Sequence, residues 1–369
     1  MSNIVESGIG IGKMKRYGFL FEKIVDLENI KKAILRAARG KRKKHSVQVA
    51  LEDIDKTAIQ IQSWLVSGEW QPPRYHKAKI INDGIQLKKR IIVCPEFVRE
   101  QCVHHAIMNV VYPLFQNRFY ELSCGSVRGR GTHSAQKWIS KQIRNKKNIK
   151  YYTKLDIQKF FQNIHPSFVF RELRKVIKDK RVLILFSRIL RSNTVNQNGI
   201  KYKHGILIGF YTSPFFANVI LNALDHKSKE EQRVKYYIRY MDDILILGSN
   251  KRKIKKYVYW AKVFLNKIKL SVKKNQIHSV KIFEFLGYIF RKDKTTLSEK
   301  LFLKSKRCFK KIYKYKHLSL YQSRKVLSYC GYFKSCNMTY AFKKYISPYI
   351  SVAACKKIIQ RNDLKEVLQ

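Results

Sequence analysis

Two adjacent acids, Asp242 and Asp243, interrupt an otherwise apolar stretch. Val234-Lys235-Tyr236-Tyr237-Ile238-Arg239 leads into Tyr240-Met241-Asp242-Asp243, and Ile244-Leu245-Ile246-Leu247-Gly248 follows. β-Branched and aromatic residues on both sides of a short polar break predict two strands joined by a turn, with the carboxylates at its tip. Neighbouring carboxylates repel each other unless a cation neutralises them. A pair of divalent cations suits phosphoryl transfer, because two metals stabilise the attacking and the leaving oxygen. An isolated Asp-Asp pair is more often a solvated turn, so the remainder of the chain decides between the two.

The chain's 369 residues, 45% of them hydrophobic, suffice for two or three packed domains. Against 25 Asp+Glu stand 77 Lys+Arg, a formal charge of +52. Such self-repulsion opposes compaction unless a polyanion is bound, and nucleic acid is the natural one. An anionic membrane competes for a basic protein, but no apolar run approaches the ~18 residues of a span. Met1 to Lys15 has no apolar signal core, and the basic residues are spread along the chain. These features predict no membrane association. Cys94, Cys102, Cys124, Cys308, Cys330, Cys336 and Cys355 include no CxxC pair, which argues against a zinc knuckle or a disulfide framework. His104-His105 beside Cys102 fits no common zinc spacing. A reducing, cytoplasmic setting follows.

Residues 1–14 read as a flexible arm. Gly8, Gly10, Gly12 and Lys13 match a phosphate loop only superficially, since Ser7 falls on its first glycine and Met14 replaces its Ser/Thr. Leu20, Ile24, Leu27, Ile30 and Ile34 recur at helical spacing, and Asp53 to Trp64 reads as a second helix. Arg39 to Lys44 is a basic loop, either a solvated surface or a phosphate contact. Lys77–Ile81 and Leu87–Val93 flank Asn82-Asp83-Gly84 as a hairpin whose second strand holds Lys88, Lys89 and Arg90. Arg99 to Val111 is helical. Gly125 to His133 is a Gly- and Arg-rich loop, able to bring backbone N–H groups to phosphates or simply mobile. Tyr151 to Ile157 is a strand ending near Asp156, Gly205 to Asn222 a turn entering an apolar helix, and Lys251 to Leu270 a basic helix. Lys281 to Phe290 reads as a strand pair, and helical spacing follows from about residue 293. Strands gathered between 150 and 290 with helical ends predict an α+β fold.

A strand ending in Asp156, a Gly209–Ser213-Pro214 turn and helix, and the Tyr240–Asp243 hairpin, in that order, resemble a reverse transcriptase. The resemblance covers about residues 16 to 345. It implies a right-hand polymerase architecture: fingers, a palm with an antiparallel sheet, and a helical thumb. N-terminal helices and fingers would occupy 15–149, the palm 150–292 with a fingers insertion around 170–204, and the thumb 293–369. The family's catalytic acids fall on Asp156, Asp242 and Asp243, and its contacts to two Mg²⁺ ions on Asp156, Ile157, Asp242 and Asp243. Its dNTP site falls on Lys88, Arg90, Phe161, Ile208 and Gly209. Arg suits bidentate phosphate contact. Phe161 falls at the bulky sugar gate that clashes with a ribose 2′-hydroxyl, or it packs in the core; Phe160 would face the other way along a strand and pack inward. Template and primer contacts fall on Arg128, Arg130, Tyr240 and Met241. Leu286, Gly287 and Tyr288 resemble the primer grip.

Within that superfamily the likeness is greatest to the reverse transcriptases of diversity-generating retroelements. Arg16 to Ile24, Val103-His104-His105-Ala106-Ile107, Arg128 to His133 and Ser328 to Asn337 are similar to their signatures. Ile208 stands before Gly209, where most relatives outside this group place Gln. The group often has Gln after Ser213, and this chain has Pro214. No Val-Thr-Gly triplet of the retron enzymes occurs late in the chain, and the residues after 292 leave little room for a maturase domain. Retron-like, group II intron-like and defence-associated enzymes are the alternatives. The likeness implies error-prone copying of template RNA into cDNA from dNTPs, mutagenic retrohoming, and a small basic accessory protein with RNA bridging the like charges. It also implies a bacterial or phage-encoded origin. Two rival classes are a non-catalytic RNA-binding protein on the same fold and a metal-dependent nuclease. The nuclease would want further acids or a His beside Asp242.

Overall fold

The computed structural model of the protein describes residues 15–73, 76–83, 88–145, 148–192, 205–315 and 317–368. The expected arm at 1–14 lies outside them. The chain forms two compact units, each assembled from separated segments. The first comprises Met1–Glu121, Asp156–Gln232 and Trp260–Lys273; the second comprises Leu122–Leu155, Arg233–Tyr259 and Lys274–Gln369.

The first unit is mostly helical. The Leu27–Ala38 helix buries Ile30, Ala33, Ile34 and Ala37 on one face, and its Asp26 cap accepts the Asn29 N–H at 3.0 Å. Asp53 caps Ile54–Val66 in the same way, through Lys56 N–H at 2.8 Å. The helix expected over 99–111 is present as Val103–Gln116, but the turn that leads into it, Phe97–Cys102, is π-helical. The wider turn carries Glu100 fully into the core, where it accepts the Glu96 N–H at 2.9 Å and meets His76 Nε2 at 2.7 Å. His104 is buried too, and burial pushes its imidazole down to about 3, so the ring is neutral. Strands β1 (Ala78–Asp83) and β2 (Lys88–Val93) pair antiparallel with Asp83 opposite Lys88. Asn82 and Asp83, expected in the turn, thus belong to the strand: pairing with Lys89 and Lys88 keeps them in the ladder. The connection falls on 84–87, outside the described residues.

The second unit contains two sheets. One has the order β4 (Tyr236–Tyr240), β5 (Asp243–Gly248), β3 (Tyr151–Asp156), β6 (Ile277–Ser279). The other is β7 (Ile282–Phe285), β8 (Tyr288–Arg291), β9 (Thr295–Leu297). Ile244 to Leu247 are all buried, so β5 is covered on both faces, which explains its unbroken apolar run. The core joins Ile139 of the Thr132–Asn145 helix, Ile238, Leu245 and Phe285 to Phe309 and Val326 of the C-terminal helices. β9 occupies a stretch expected to be helical. Thr295 is β-branched and buried, its hydroxyl 2.7 Å from Ser140 Oγ and its N–H donated to Asn337 Oδ1, so tertiary partners hold it extended. No helix among the described residues is long and apolar enough to cross a membrane.

Candidate active site

Strands β4 and β5 pair from Tyr236–Leu247 to Tyr240–Asp243, which leaves Met241-Asp242 as a two-residue turn and makes Asp243 the first residue of β5. The acids stand at the hairpin tip, where the sequence pattern places them. Met241 has φ +54°, a left-handed backbone that costs a non-glycine residue about 1–2 kcal/mol. Three contacts hold it there. Arg239, with no exposed surface, donates from Nη1 to the Met241 carbonyl at 3.0 Å and from Nη2 to Ser123 Oγ at 2.7 Å. The backbone of β4 is bracketed by Arg239 N–H to Leu122 O at 3.0 Å and Cys124 N–H to Arg239 O at 2.8 Å. Gly125 lies so close that a Cβ there would sit 2.5 Å from Met241 N. The 122–125 segment therefore clamps the turn.

The third acid ends β3. Lys150 N–H donates to Gly248 O at 3.0 Å, placing the start of β3 beside the end of β5. The two strands are thus antiparallel neighbours, and β3 finishes on the edge where β5 begins. Beyond β3, Asp156 O accepts the Lys273 N–H at 2.9 Å, and Gln158 N–H donates to Ser271 O at 2.8 Å. These bonds flank the Ile157–Val272 bridge, so the Ile157 carbonyl is not used by that ladder. Lys273 Nζ lies 2.6 Å from Asp156 Oδ2, with both side chains about half-exposed. Among the described residues no group of three or more His, Cys, Asp or Glu is arranged as a metal site. The donor chemistry of Asp156, Asp242, Asp243 and the Ile157 carbonyl is nonetheless the hard-oxygen set that Mg²⁺ takes. Asp156 already attracts a cation in the form of Lys273.

The first unit brings several expected nucleotide-site residues together. Val93 N–H, at the end of β2, donates to the Ile208 carbonyl at 2.7 Å. Gly209 has φ +123°, and a Cβ on it would lie 2.2 Å from Val93 O, so glycine is required by both conformation and space. Next to it, the Phe210 ring lies edge-on to His76 and His104, each 5.1 Å away, and Tyr211 stacks on His105 at 3.7 Å. Ser213 Oγ closes the turn on Leu207 O at 2.6 Å. Phe161 O accepts the Ile206 N–H at 2.7 Å, which joins Phe161 to the same segment. Ile208 and Phe161 are half-buried, whereas Phe160 is a core residue. Both phenylalanines sit on the short Phe160–Asn163 helix, so Phe160 reaches the core by helical geometry rather than by strand alternation. Lys88, Lys89 and Arg90 lie on β2; their side chains are outside the described residues.

In the second unit, Arg128 is exposed and Arg130 donates to Ser123 O at 3.4 Å. Tyr240 is half-buried, and burial raises its phenol pKa. Leu286 (φ +52°) and Gly287 (φ +80°) form the two-residue turn between β7 and β8. Tyr288 differs from expectation. It has no exposed surface, its hydroxyl is 2.8 Å from His133 Nδ1, and burial pushes its phenol pKa up. The alternation of β8 turns Tyr288 and Phe290 inward, so its ring is a core element, where an exposed contact was expected. Arg239, Gly125 and Lys273 went unrecognised in the sequence. A charged residue inside the apolar run of β4 was a signal for Arg239; Lys273, one of many lysines, offered none.

The sequence model for reverse transcriptase (RNA-dependent DNA polymerase) matches residues 75–290. Protein YkfC of Escherichia coli (strain K12) is 21% identical over 187 residues, covering 47% of this chain and 48% of YkfC. The chain thus aligns with about half the length of that curated relative. The apo telomerase structure from Candida tropicalis has a TM-score of 0.50 at 14% identity, covering 80% of this chain and 64% of the telomerase chain.

Replacing Arg239 by Met removes the guanidinium bonds to the Met241 carbonyl and the Ser123 hydroxyl. A hydrogen bond to a charged group is worth about 1.5–3 kcal/mol. Arg239→Met is expected to lower the urea midpoint correspondingly; an unchanged midpoint would show that Arg239 does not hold the turn.

Proposed function

Because the chain belongs to the reverse transcriptase (RNA-dependent DNA polymerase) family and has its α+β, right-hand polymerase fold, we propose that it copies an RNA template into cDNA. The observation that carries this reading is the clamped hairpin, which presents Asp242 and Asp243 on the sheet edge where the neighbouring strand ends in Asp156. Asp156, Asp242, Asp243 and the Ile157 carbonyl would hold two Mg²⁺ ions. When bound, the ions neutralise charge on the α-phosphate and on the attacking and leaving oxygens. The residues of the chain position the reactants. The clamp on Met241 would fix the backbone that carries the two hairpin carboxylates before substrate arrives, and Lys273 would give up Asp156 to the incoming ions. Arg90, with Lys88, would neutralise the triphosphate, and Phe161 would exclude a 2′-hydroxyl. Arg128, Arg130, Leu286 and Gly287 would contact template and primer.

A non-catalytic RNA-binding protein on the same fold is the rival reading, favoured by the Lys273–Asp156 ion pair and the lack of an assembled acid group among the described residues. Primer extension on homopolymer RNA with Mg²⁺ separates the two. Wild type is expected to extend the primer and Asp242→Asn to lose about a thousand-fold in rate. Wild-type inactivity across metals and partners would favour the binding protein.

The subgroup reading is a diversity-generating retroelement enzyme, with template RNA, cDNA, dNTPs and a basic accessory protein, RNA bridging the like charges, as its partners. Ile208 supports it: a half-buried apolar side chain stands on a turn fastened to β2, where a Gln side chain would offer donors and an acceptor. A base-reading contact is worth about 1–3 kcal/mol of discrimination, so its loss predicts low fidelity. Sequencing cDNA made by Ile208→Gln is expected to show fewer misincorporations than wild type. Equal error spectra would remove Ile208 from the explanation.

A further inference from the structure

The first unit contains a cavity of about 410 Å³ lined by Arg16, Ser167, Phe170, Arg171, Arg174 and Lys175. Ser167, Phe170, Arg171 and Arg174 recur at three- and four-residue intervals on the Pro166–Arg174 helix, so they form one face. The opposite face supplies the core through Val169 and Leu173. Four cations thus converge with one carboxylate near them. Glu172 takes Lys175 at 2.7 Å and Arg171 at 3.4 Å. Arg16 donates to Ile177 O at 3.3 Å, which still leaves donors in its five-donor fork. The Arg174 side chain has no hydrogen bond or ion pair among the described residues. Glu172 offsets only part of the repulsion among these cations, and an anion would relieve the rest.

A second observation lies three residues from Arg16. Phe19 is 86% exposed and adopts φ +52°. It is not a frayed end, for the chain is pinned on both sides of it. Tyr17 N–H donates to Val176 O at 2.8 Å and Lys178 N–H to Tyr17 O at 2.7 Å. Beyond it, Leu20 and Phe21 N–H both donate to Asp179 Oδ2 at 2.9 Å. The Tyr17 ring also lies 5.7 Å from both the Lys15 ammonium and the Arg118 guanidinium. A large apolar ring in a left-handed backbone, held firmly and yet left in solvent, contributes nothing to the core. An exposed aromatic ring three residues along the chain from a basic groove suits single-stranded nucleic acid, base on ring and phosphates on cations.

We propose that Arg16, Phe19 and the Ser167–Phe170–Arg171–Arg174 face form a second RNA-binding surface, which takes an unpaired segment of the RNA apart from the hairpin acids. Phe19 stacks one base, and Arg16 and Arg174 each neutralise a phosphate. RNA as the occupant rests on the polymerase reading; the groove and the ring do not.

The test is fluorescence anisotropy of a labelled oligouridine with the full chain, without dNTPs, over a salt series. Phe19→Ala is expected to weaken binding about 5- to 150-fold with little change in salt slope. Arg16→Ala with Arg174→Ala is expected to reduce the log–log salt slope by about 1.4, two phosphates at about 0.7 each. Arg174→Ala alone, which removes no internal bond among the described residues, is expected to give about half of that slope change. Lys43→Ala with Lys44→Ala removes the same charge from the exposed basic loop and serves as the control. Site variants no weaker than this control overturn the site alone. A wild type that binds no RNA at low salt overturns both the site and the polymerase reading. Stronger competition by duplex RNA than by single strands overturns the role of Phe19.

Discussion

A buried guanidinium sets the geometry on which the hairpin acids depend. Arg239 lies wholly inside the second unit, yet its two terminal nitrogens reach the Met241 carbonyl and the Ser123 hydroxyl. Placing a charge there is costly unless hydrogen bonds satisfy it. Those bonds hold the one left-handed residue that lets β4 turn back into β5 within two residues. Gly125 completes the arrangement by leaving no Cβ between its backbone and Met241. The acids are therefore placed by Arg239 of the hairpin together with the 122–125 segment outside it, over strands whose side chains are buried.

The same economy of space recurs in the first unit. Gly209 approaches Val93 too closely for any side chain, and the Ile208 carbonyl accepts the Val93 N–H. The 206–209 turn and the basic strand β2 are thereby fastened together. Around them His104 is neutral and enclosed against Phe210, and His105 stacks on Tyr211. The large positive charge is distributed in a corresponding way. Lys273 sits on Asp156, while Arg174 meets no anion among the described residues.

Much of this was legible in the sequence because it is written in short-range patterns. Alternating and continuous apolar runs gave β3, β4 and β5, and the Phe285–Tyr288 stretch gave the β7–β8 turn. The acids at the tip followed from their position between two such runs. What escaped was fixed by distant partners. β9 is extended because Thr295 meets Ser140 and Asn337, and the π-helical turn at 97–102 exists because Glu100 is drawn inward to His76. Tyr288 looked like a surface contact from its place after Gly287; only its enclosure beside His133 shows it to be core. Lys273 could not be singled out, since its role depends on a pairing across more than a hundred residues of chain.

The most direct measurement replaces Mg²⁺ by Fe²⁺ on the chain bound to a template–primer duplex and maps the protein backbone cut by the radicals the iron generates. If Asp156, Asp242 and Asp243 share a metal site, cleavage will concentrate around residue 156 and around 241–243, and excess Mg²⁺ will suppress it. Cleavage confined to other segments, or none at either place, would contradict the account.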